Sequence, residues 1–189
     1  MFDIKLILAS NSPRREQLLK NENFNFKILP SDYEEQSFSS DPIITAKTFA
    51  KGKAIDVYNK INDKNVVILS ADTVVFLDGQ ILGKPKDETE AFSMLKQLSK
   101  KTHSVTTGFC IKYDQEEILD TDTTLVTFND LSDEKIQNYI KSGLYKGKAG
   151  AYGIQDVEFN LVKSYDGSLN NVIGLPTEKI IPLLSSIIK

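Results

Sequence analysis

Residues Val66–Leu77 constrain the fold more than any other part of the sequence. They read VVILSADTVVFL, a run rich in β-branched residues that is apolar except in its middle and is followed by Asp78 and Gly79. β-branched residues favour strands, and an Asp-Gly pair is typical of a tight hairpin turn. The run therefore predicts a strand in the centre of a sheet, with Asp72 in its middle.

Helical and strand patterns alternate along the rest of the chain. Apolar residues spaced three and four apart predict a helix over about Pro42–Ile61, and the polar segment 31–42 is predicted to be a loop. The same patterns predict strands near Lys5–Ala9, Phe26–Leu29, His103–Tyr113, Leu125–Phe128, Phe159–Ser164 and Val172–Ile173, and helices that follow Ser12, Asp87 and Ser132 or contain Pro182. Without repeats or linkers, this alternation indicates one α/β domain over residues 1–189.

The composition excludes several classes of function. A formal net charge of -3 gives no bulk attraction to nucleic acid or anionic lipid, which favours a small phosphorylated ligand bound by a local basic cluster. Cys110 and His103 are the only residues of their kinds, which excludes intrachain disulfides, cysteine zinc sites and histidine metal cages. No stretch approaches the roughly 20 apolar residues of a membrane helix, and the N-terminal residues lack a secretory pattern. We therefore expect a soluble, cytoplasmic protein.

Arg14 and Arg15 fall in the first turn of a predicted helix, where the helix dipole disfavours cations by about 0.3 to 1 kcal/mol each. An anion at that helix start would be bound by free backbone N–H groups and by two guanidinium groups, an arrangement suited to phosphate. Two arginines that merely face water are the simpler interpretation, and the pair by itself favours it.

Asp72 is an isolated carboxylate among apolar strand residues, which is costly unless it is paired, hydrogen-bonded or bound to metal. It is a candidate general base or metal ligand, and a buried hydrogen-bond partner is an equally good interpretation. Thr73 beside it is by itself more typical of an ordinary strand residue.

Five further side chains are candidates for binding a phosphorylated ligand. Lys84, in a turn stiffened by Pro85, and Lys53, on the long helix, each offer an ammonium group to a phosphate. Glu34 and Glu35 offer carboxylates to a hard cation such as Mg²⁺, and Gln155 offers an amide to the edge of a base. Exposed turn residues and a solvated acidic loop are the simpler explanations, so each signal is weak alone.

Five sequence blocks resemble the Maf family of nucleotide pyrophosphatases, in the same order and over nearly the whole chain. The blocks are LASNSPRREQLL (8–19), SADTVV (70–75), GKPKD (83–87), KAGAYGIQ (148–155) and GSLNNVIGLP (167–176). The resemblance implies an α/β fold of the Maf and ITPase-like kind, with a central mixed sheet flanked by helices, two lobes, a cleft between them and a homodimer. It also implies hydrolysis of the α–β phosphoanhydride of a nucleoside triphosphate with a divalent metal, Mg²⁺ or Mn²⁺.

The resemblance also implies three groups of site residues: a general base that binds metal together with a second carboxylate, three phosphate-binding cations, and three positions that separate the subfamilies. In this sequence they are Asp72 with Glu35, then Arg15, Lys53 and Lys84, and then Arg14, Thr73 and Gln155. The combination of Arg14, Thr73 and Gln155 resembles the residues found at these positions in the branch that hydrolyses dTTP and UTP.

Two alternatives stay open. One keeps the fold and changes the substrate to a modified nucleotide such as 7-methyl-GTP. The other is a regulator of cell division that binds a nucleotide without turnover. Asp72 argues against pure binding, because a negative charge that faces a triphosphate weakens affinity unless metal or catalysis requires it.

Overall fold

A mixed seven-stranded sheet flanked by helices forms the centre of the computed structural model, which describes residues 5–35, 39–61, 63 and 65–188. The strands of the described ranges are β1 (Lys5–Leu8), β2 (Phe26–Ile28), β3 (Val66–Leu77), β4 (Gln80–Leu82), β5 (Thr102–Tyr113), β6 (Glu116–Phe128) and β7 (Val162–Asp166). The helices are α1 (Pro13–Asn21), α2 (Pro42–Lys60), α3 (Glu88–Leu98), α4 (Asp133–Lys141), α5 (Leu169–Ile173) and α6 (Thr177–Ile187). The α/β prediction with a central mixed sheet is confirmed.

Strand β3 lies in the middle of the sheet, whose strand order is β2-β1-β3-β5-β6-β7, with β4 also paired to β3. It runs parallel to β1 on one side and antiparallel to β5 on the other, where Asp72 is opposite Gly108. The hairpin to β4 turns at Asp78 and Gly79, whose φ values of 50° and 84° suit a primed turn. The prediction of a central strand that ends in a hairpin is confirmed.

The helices begin where the sequence indicates. The Ser12 side chain accepts a hydrogen bond from the backbone N–H of Arg15, and Asp87 accepts one from Glu90, so both predicted caps form. The segment 31–42 contains no helix or strand before Pro42 in its described part, while its residues 36–38 lie outside the described residues. No helix in the described ranges is long and apolar enough to cross a membrane.

Two large apolar cores divide the molecule into two lobes. One core packs α1 and α6 against the first half of β3, through residues such as Leu19, Leu69 and Leu184. The other packs α3 and α4 against its second half, through residues such as Val75 and Leu95. Because β3 passes from one core to the other, its middle residues lie at the boundary between the lobes.

Three predicted elements differ from the structure. The strand expected near Leu125–Phe128 is much longer, because β6 pairs with β5 along its whole length. The strand expected near Phe159–Ser164 begins only at Val162, after a 3-10 turn over Val157–Phe159. The strand predicted at Val172–Ile173 is wrong: both residues belong to α5, which begins after a capping serine and ends at Gly174, where φ is 122°.

Candidate functional site

A cavity of about 460 Å³ opens at the boundary between the lobes. Its wall is built by the start of α1, the middle of β3, one face of α2 and the loop 146–155. All eight site residues expected from the sequence line this cavity: Arg14, Arg15, Glu35, Lys53, Asp72, Thr73, Lys84 and Gln155. The structure therefore brings together side chains that are up to 141 positions apart in the chain, while the roles assigned to them stay predictions.

Two carboxylates and two ammonium groups form a connected cluster on one wall. Asp72 is 4% exposed and forms a short ion pair with Lys53, which reaches it from α2. The same ammonium group donates to Glu35 at 2.8 Å, and Lys84 lies 3.5 Å from the same Glu35 oxygen. A single lysine thus holds the predicted general base and the predicted second carboxylate next to each other.

The protein environment shifts the pKa of the two carboxyl groups in opposite directions. Burial raises the pKa of Asp72, and the nearby charges of Lys53 and Arg15 only partly oppose this shift. Burial also acts to raise the pKa of Glu35, but the hydrogen bond and charge of Lys53, together with Lys84, hold that pKa below its usual value. Asp72 is therefore the more basic carboxylate of the pair, as a proton acceptor needs to be.

Arg15 is fixed by hydrogen bonds to two separate parts of the chain. Its Nε donates to the backbone oxygen of Gly174 at 2.7 Å, and one terminal nitrogen donates to the Thr73 hydroxyl at 3.0 Å. The Thr73 hydroxyl is in turn 2.8 Å from that of Thr107 on β5. The guanidinium group expected to need compensation at the start of α1 is thus oriented by the end of α5 and by two strands.

Asn171 anchors this arrangement from behind. It is fully buried, and its side-chain oxygen accepts from the backbone N–H of Thr107 at 3.1 Å. Its side-chain nitrogen donates to the backbone oxygen of Val105 and to the Thr124 hydroxyl, both at 2.9 Å. The backbone oxygen of Asn171 accepts from the Thr107 hydroxyl at 2.8 Å. A hydrogen-bonded chain therefore runs from Asn171 through Thr107 and Thr73 to Arg15.

Another part of the wall is formed by the loop 146–155, which contacts Arg14 through one long hydrogen bond of 3.5 Å to the backbone oxygen of Gly147. Lys148 of this loop forms a short ion pair with Asp156, and both side chains are buried. The Tyr139 hydroxyl donates to Asp156 at 2.6 Å and accepts from the backbone N–H of Gly153 at 3.1 Å. A buried polar cluster therefore ties the loop to α4.

Two residues with reactive side chains lie outside the site. His103 is 2% exposed, and its Nε2 is 2.7 Å from the hydroxyl of Tyr152, which lines the cavity. Burial lowers the pKa of His103 to about 4 and raises the pKa of Cys110 to about 12. Cys110 is a fully buried, free thiol, so the prediction of a small core residue is confirmed.

No sequence signal assigned a role to Asn171, Thr107, Lys148 or Asp156. Asn171 and Lys148 lie within two of the five family-like blocks, and membership of these blocks is the feature of the sequence that could have indicated them. Thr107 is one of two adjacent threonines in a strand, and Asp156 follows Gln155 directly, and neither pattern points to a site. Their contacts depend on partners that are 8 to 66 positions away.

A protein-family model described as "Maf-like protein" matches residues 5–187. Among solved structures, that of the Staphylococcus aureus Ham1 protein is similar with a TM-score of 0.50 and 13% sequence identity. The match covers 67% of this chain and 72% of the Ham1 chain. At that identity, the likeness concerns the fold alone.

Proteins named dTTP/UTP pyrophosphatase are similar over almost the full length of the chain. The one from Ruminiclostridium cellulolyticum is 45% identical over 179 residues, which cover 93% of this chain and 92% of its own. The one from Thermococcus onnurineus is 44% identical over 173 residues, which cover 92% of each chain. The one from Aquifex aeolicus is 41% identical over 181 residues, which cover 96% of this chain and 94% of its own.

Proposed function

The chain belongs to the Maf-like protein family, and we propose that it is a nucleoside triphosphate pyrophosphatase that converts dTTP and UTP to the monophosphate and pyrophosphate. The relatives named for this activity support the substrate class. The observation that carries the reaction is the buried carboxylate of Asp72 on the wall of a cavity that also presents Arg15, Lys53 and Lys84. A base surrounded by cations suits attack of water on a polyanion.

In the proposed reaction, the Asp72 carboxylate accepts a proton from a water molecule as the water oxygen attacks the α-phosphorus. The bond between the α-phosphorus and the α–β bridging oxygen breaks, and pyrophosphate leaves with the bonding electron pair. The raised pKa of Asp72 makes it a stronger base than an exposed aspartate, which favours this proton transfer.

The cations of the cavity stabilise the charge that develops on the leaving pyrophosphate. We assign this role to the phosphate end of the cavity, defined as Arg15, Lys53 and Lys84 together with Asp72 and Glu35. Arg15 has a fixed orientation before substrate binds, because Gly174 and Thr73 hold its guanidinium group. Electrostatic stabilisation of this kind is the main contribution that proteins make to phosphoryl transfer.

The carboxylates present fit a divalent metal bound together with substrate. Asp72 and Glu35 contact the same Lys53 ammonium, so they are close enough to share a cation. In the described part of the chain, no group of three His, Cys, Asp or Glu side chains is placed to hold a metal. Mg²⁺ commonly uses one or two carboxylates plus substrate phosphates rather than a cage made only of protein. A bound Mg²⁺ or Mn²⁺ would supply Lewis-acid neutralisation of the phosphate oxygens.

Selection among nucleotides belongs to the base end of the cavity, defined as the loop 146–155 together with Arg14. We assign contacts with the base or sugar to Gln155 from this loop and to Arg14, which both line the cavity, while Thr73 would act through its hydrogen bond to Arg15. A site that hydrogen-bonds a base rejects others by large factors. We also propose a cytoplasmic house-cleaning role and a homodimer, both of which follow from the family resemblance.

A pyrophosphate-release screen tests this function. The purified protein is assayed against the canonical nucleoside triphosphates and 7-methyl-GTP, with Mg²⁺, with Mn²⁺ and with EDTA. We expect the highest kcat/KM for dTTP and UTP, and loss of activity in EDTA. A clear preference for 7-methyl-GTP would assign the chain to the modified-nucleotide alternative, and tight binding without any release would assign it to the regulatory one.

A further inference from the structure

Lys148 is a buried ammonium group with unused donors at the cavity wall. The residue is 6% exposed and lines the cavity. Within the described ranges, Asp156 is the one hydrogen-bonding partner of its ammonium group, which carries three N–H donors. Burying a donor without a partner is costly, so a ligand acceptor in the cavity would complete the coordination of this group.

Lys148 and Gln155 present their donors side by side. A Cβ built on Gly153 would lie 2.6 Å from the Lys148 Nζ and 2.7 Å from both the Asp156 Oδ2 and the Gln155 Nε2, so the two nitrogens and this carboxylate oxygen surround one place. Gln155 itself has no side-chain hydrogen bond among the described residues and lines the same cavity. Gly153 is therefore the residue that leaves room for two neighbouring donors at the base end.

The Lys148 ammonium group is held rigidly in place. Its partner Asp156 is 8% exposed and also accepts a hydrogen bond from the buried hydroxyl of Tyr139. That hydroxyl accepts from the backbone N–H of Gly153, which closes the cluster. The ion pair balances the lysine charge inside the protein, and the fixed geometry reduces the entropy lost when a ligand binds.

We propose that Lys148 is a specificity-determining residue that donates a hydrogen bond to the O4 carbonyl oxygen of uracil or thymine, beside Gln155. This proposal rests on the proposed function and names the chemistry by which the base end selects its substrate. Uracil and thymine carry two carbonyl oxygens, so two protein donors match two acceptors. Cytosine has an amino group in place of the O4 carbonyl, and this amino group would face a donor instead of an acceptor.

The test compares two variants that differ only at Lys148. The first variant, Asp156→Asn, keeps the lysine and keeps an acceptor for the Tyr139 hydroxyl. The second is the double variant Lys148→Met with Asp156→Asn, which removes the lysine without leaving an unpaired buried carboxylate. The kcat/KM values for UTP and CTP are measured for both variants, with thermal melting to confirm folding. We expect the double variant to lose about tenfold to hundredfold of the preference for UTP that Asp156→Asn shows.

Inhibition by inorganic pyrophosphate provides a readout that does not involve the base. We expect equal pyrophosphate inhibition constants for the double variant and Asp156→Asn, because pyrophosphate binds at the other end of the cavity. Gly153→Ala is a second route if the double variant does not fold, since the added Cβ displaces the side chains of Lys148, Asp156 and Gln155 without changing any charge. It is expected to reduce the preference for UTP in the same way.

Four outcomes would overturn the proposal. A folded double variant that keeps the full preference for UTP, or that loses UTP and CTP activity and pyrophosphate inhibition together, would show that Lys148 does not read the base. A wild-type protein that hydrolyses UTP and CTP equally well would have the same consequence, while leaving the pyrophosphatase function intact. A wild-type protein that releases no pyrophosphate from any nucleotide would overturn the function itself and this proposal with it.

Discussion

Arg14 and Arg15 are adjacent in the sequence, but the structure holds them in different ways at the two ends of the cavity. Arg15, at the phosphate end, has two hydrogen bonds of 2.7 and 3.0 Å, one to the end of α5 and one to β3. Arg14, at the base end, has one hydrogen bond of 3.5 Å to a loop carbonyl. Burial lowers the pKa of both groups, yet only Arg15 is oriented from more than one direction.

The same contrast applies to the surroundings of the two arginines. The phosphate end takes most of its side chains from α1, α2 and β3, and the chain from Asn171 to Thr73 supports it from behind. The base end is a loop, supported by one buried cluster around Asp156. Every nucleoside triphosphate shares the phosphates and differs in the base. The proposed function thus assigns the chemistry to helices and strands and the selection to a loop, an arrangement suited to these two tasks.

The largest effect is expected at the phosphate end, from Asp72→Asn. The substitution keeps the shape of the side chain and removes the proton acceptor, so kcat for dTTP should fall by about 10²- to 10⁴-fold while nucleotide binding persists. Steady-state kinetics and equilibrium binding check both parts. Asp78→Asn, in the exposed turn that follows the same strand, is the matched control and should keep wild-type kcat. Hydrolysis of dTTP at the wild-type rate by Asp72→Asn would exclude Asp72 as the general base.

The next effect is expected behind the phosphate end, from Asn171→Ala. This change leaves the buried backbone N–H of Thr107 without its acceptor and loosens the support of Arg15, so the free energy of unfolding should fall by about 3 kcal/mol. Urea denaturation measures this loss. The kcat/KM values for UTP and CTP should decline by the same factor, because the phosphates are common to both nucleotides.

Asn170→Ala is the matched control for Asn171→Ala. Asn170 is only partly buried, and its side chain contacts Thr177 and Glu178 near the surface. Its removal should change the free energy of unfolding by less than about 1 kcal/mol. If the two alanine variants were equally stable, the amide of Asn171 would not be the anchor of this region. If Asn171→Ala changed the preference between UTP and CTP, the separation of the two ends would be wrong.

The features that could be predicted from the sequence are those set by local patterns. The strand at Val66–Leu77 follows from its β-branched residues, and the caps at Ser12 and Asp87 follow from residue type and spacing. The convergence of Asp72 with Arg15 required the family-like blocks, because no local pattern relates residues that are 57 positions apart. The geometry supports this convergence, and the catalytic roles stay predictions.

Features that depend on distant partners could not be predicted. Val172 and Ile173 are β-branched and favour a strand, but the hydrogen bonds of Asn171 to β5 and β6 fix the segment as a short helix. Lys148 resembles any lysine in a glycine-rich loop until the fold places Asp156 and Tyr139 around it. Tertiary contacts override local propensity at both places.

The smallest of the three effects concerns the only histidine, which lies behind the base end. The His103 ring packs edge-on against Phe128 and Tyr152, and burial lowers its pKa to about 4. In the unfolded chain this pKa returns to about 6.5, so between these values the unfolded state binds more protons than the folded state. The contribution of His103 to the free energy of unfolding is therefore fully present above pH 6.5 and is lost as the pH falls toward 4.

Urea denaturation of the wild type and of His103→Gln, at pH 7 and at pH 5, measures this contribution. The glutamine does not titrate and retains an amide that can pair with the Tyr152 hydroxyl. Between the two pH values, the wild type should lose about 2 kcal/mol more free energy of unfolding than the variant. Equal losses in the two proteins would mean that folding does not lower the pKa of His103. A larger loss in the wild type would identify the lobe that contains α3 and α4 as the acid-sensitive part of the molecule. The His103 ring that becomes protonated packs against Phe128 and Tyr152 in the core of that lobe.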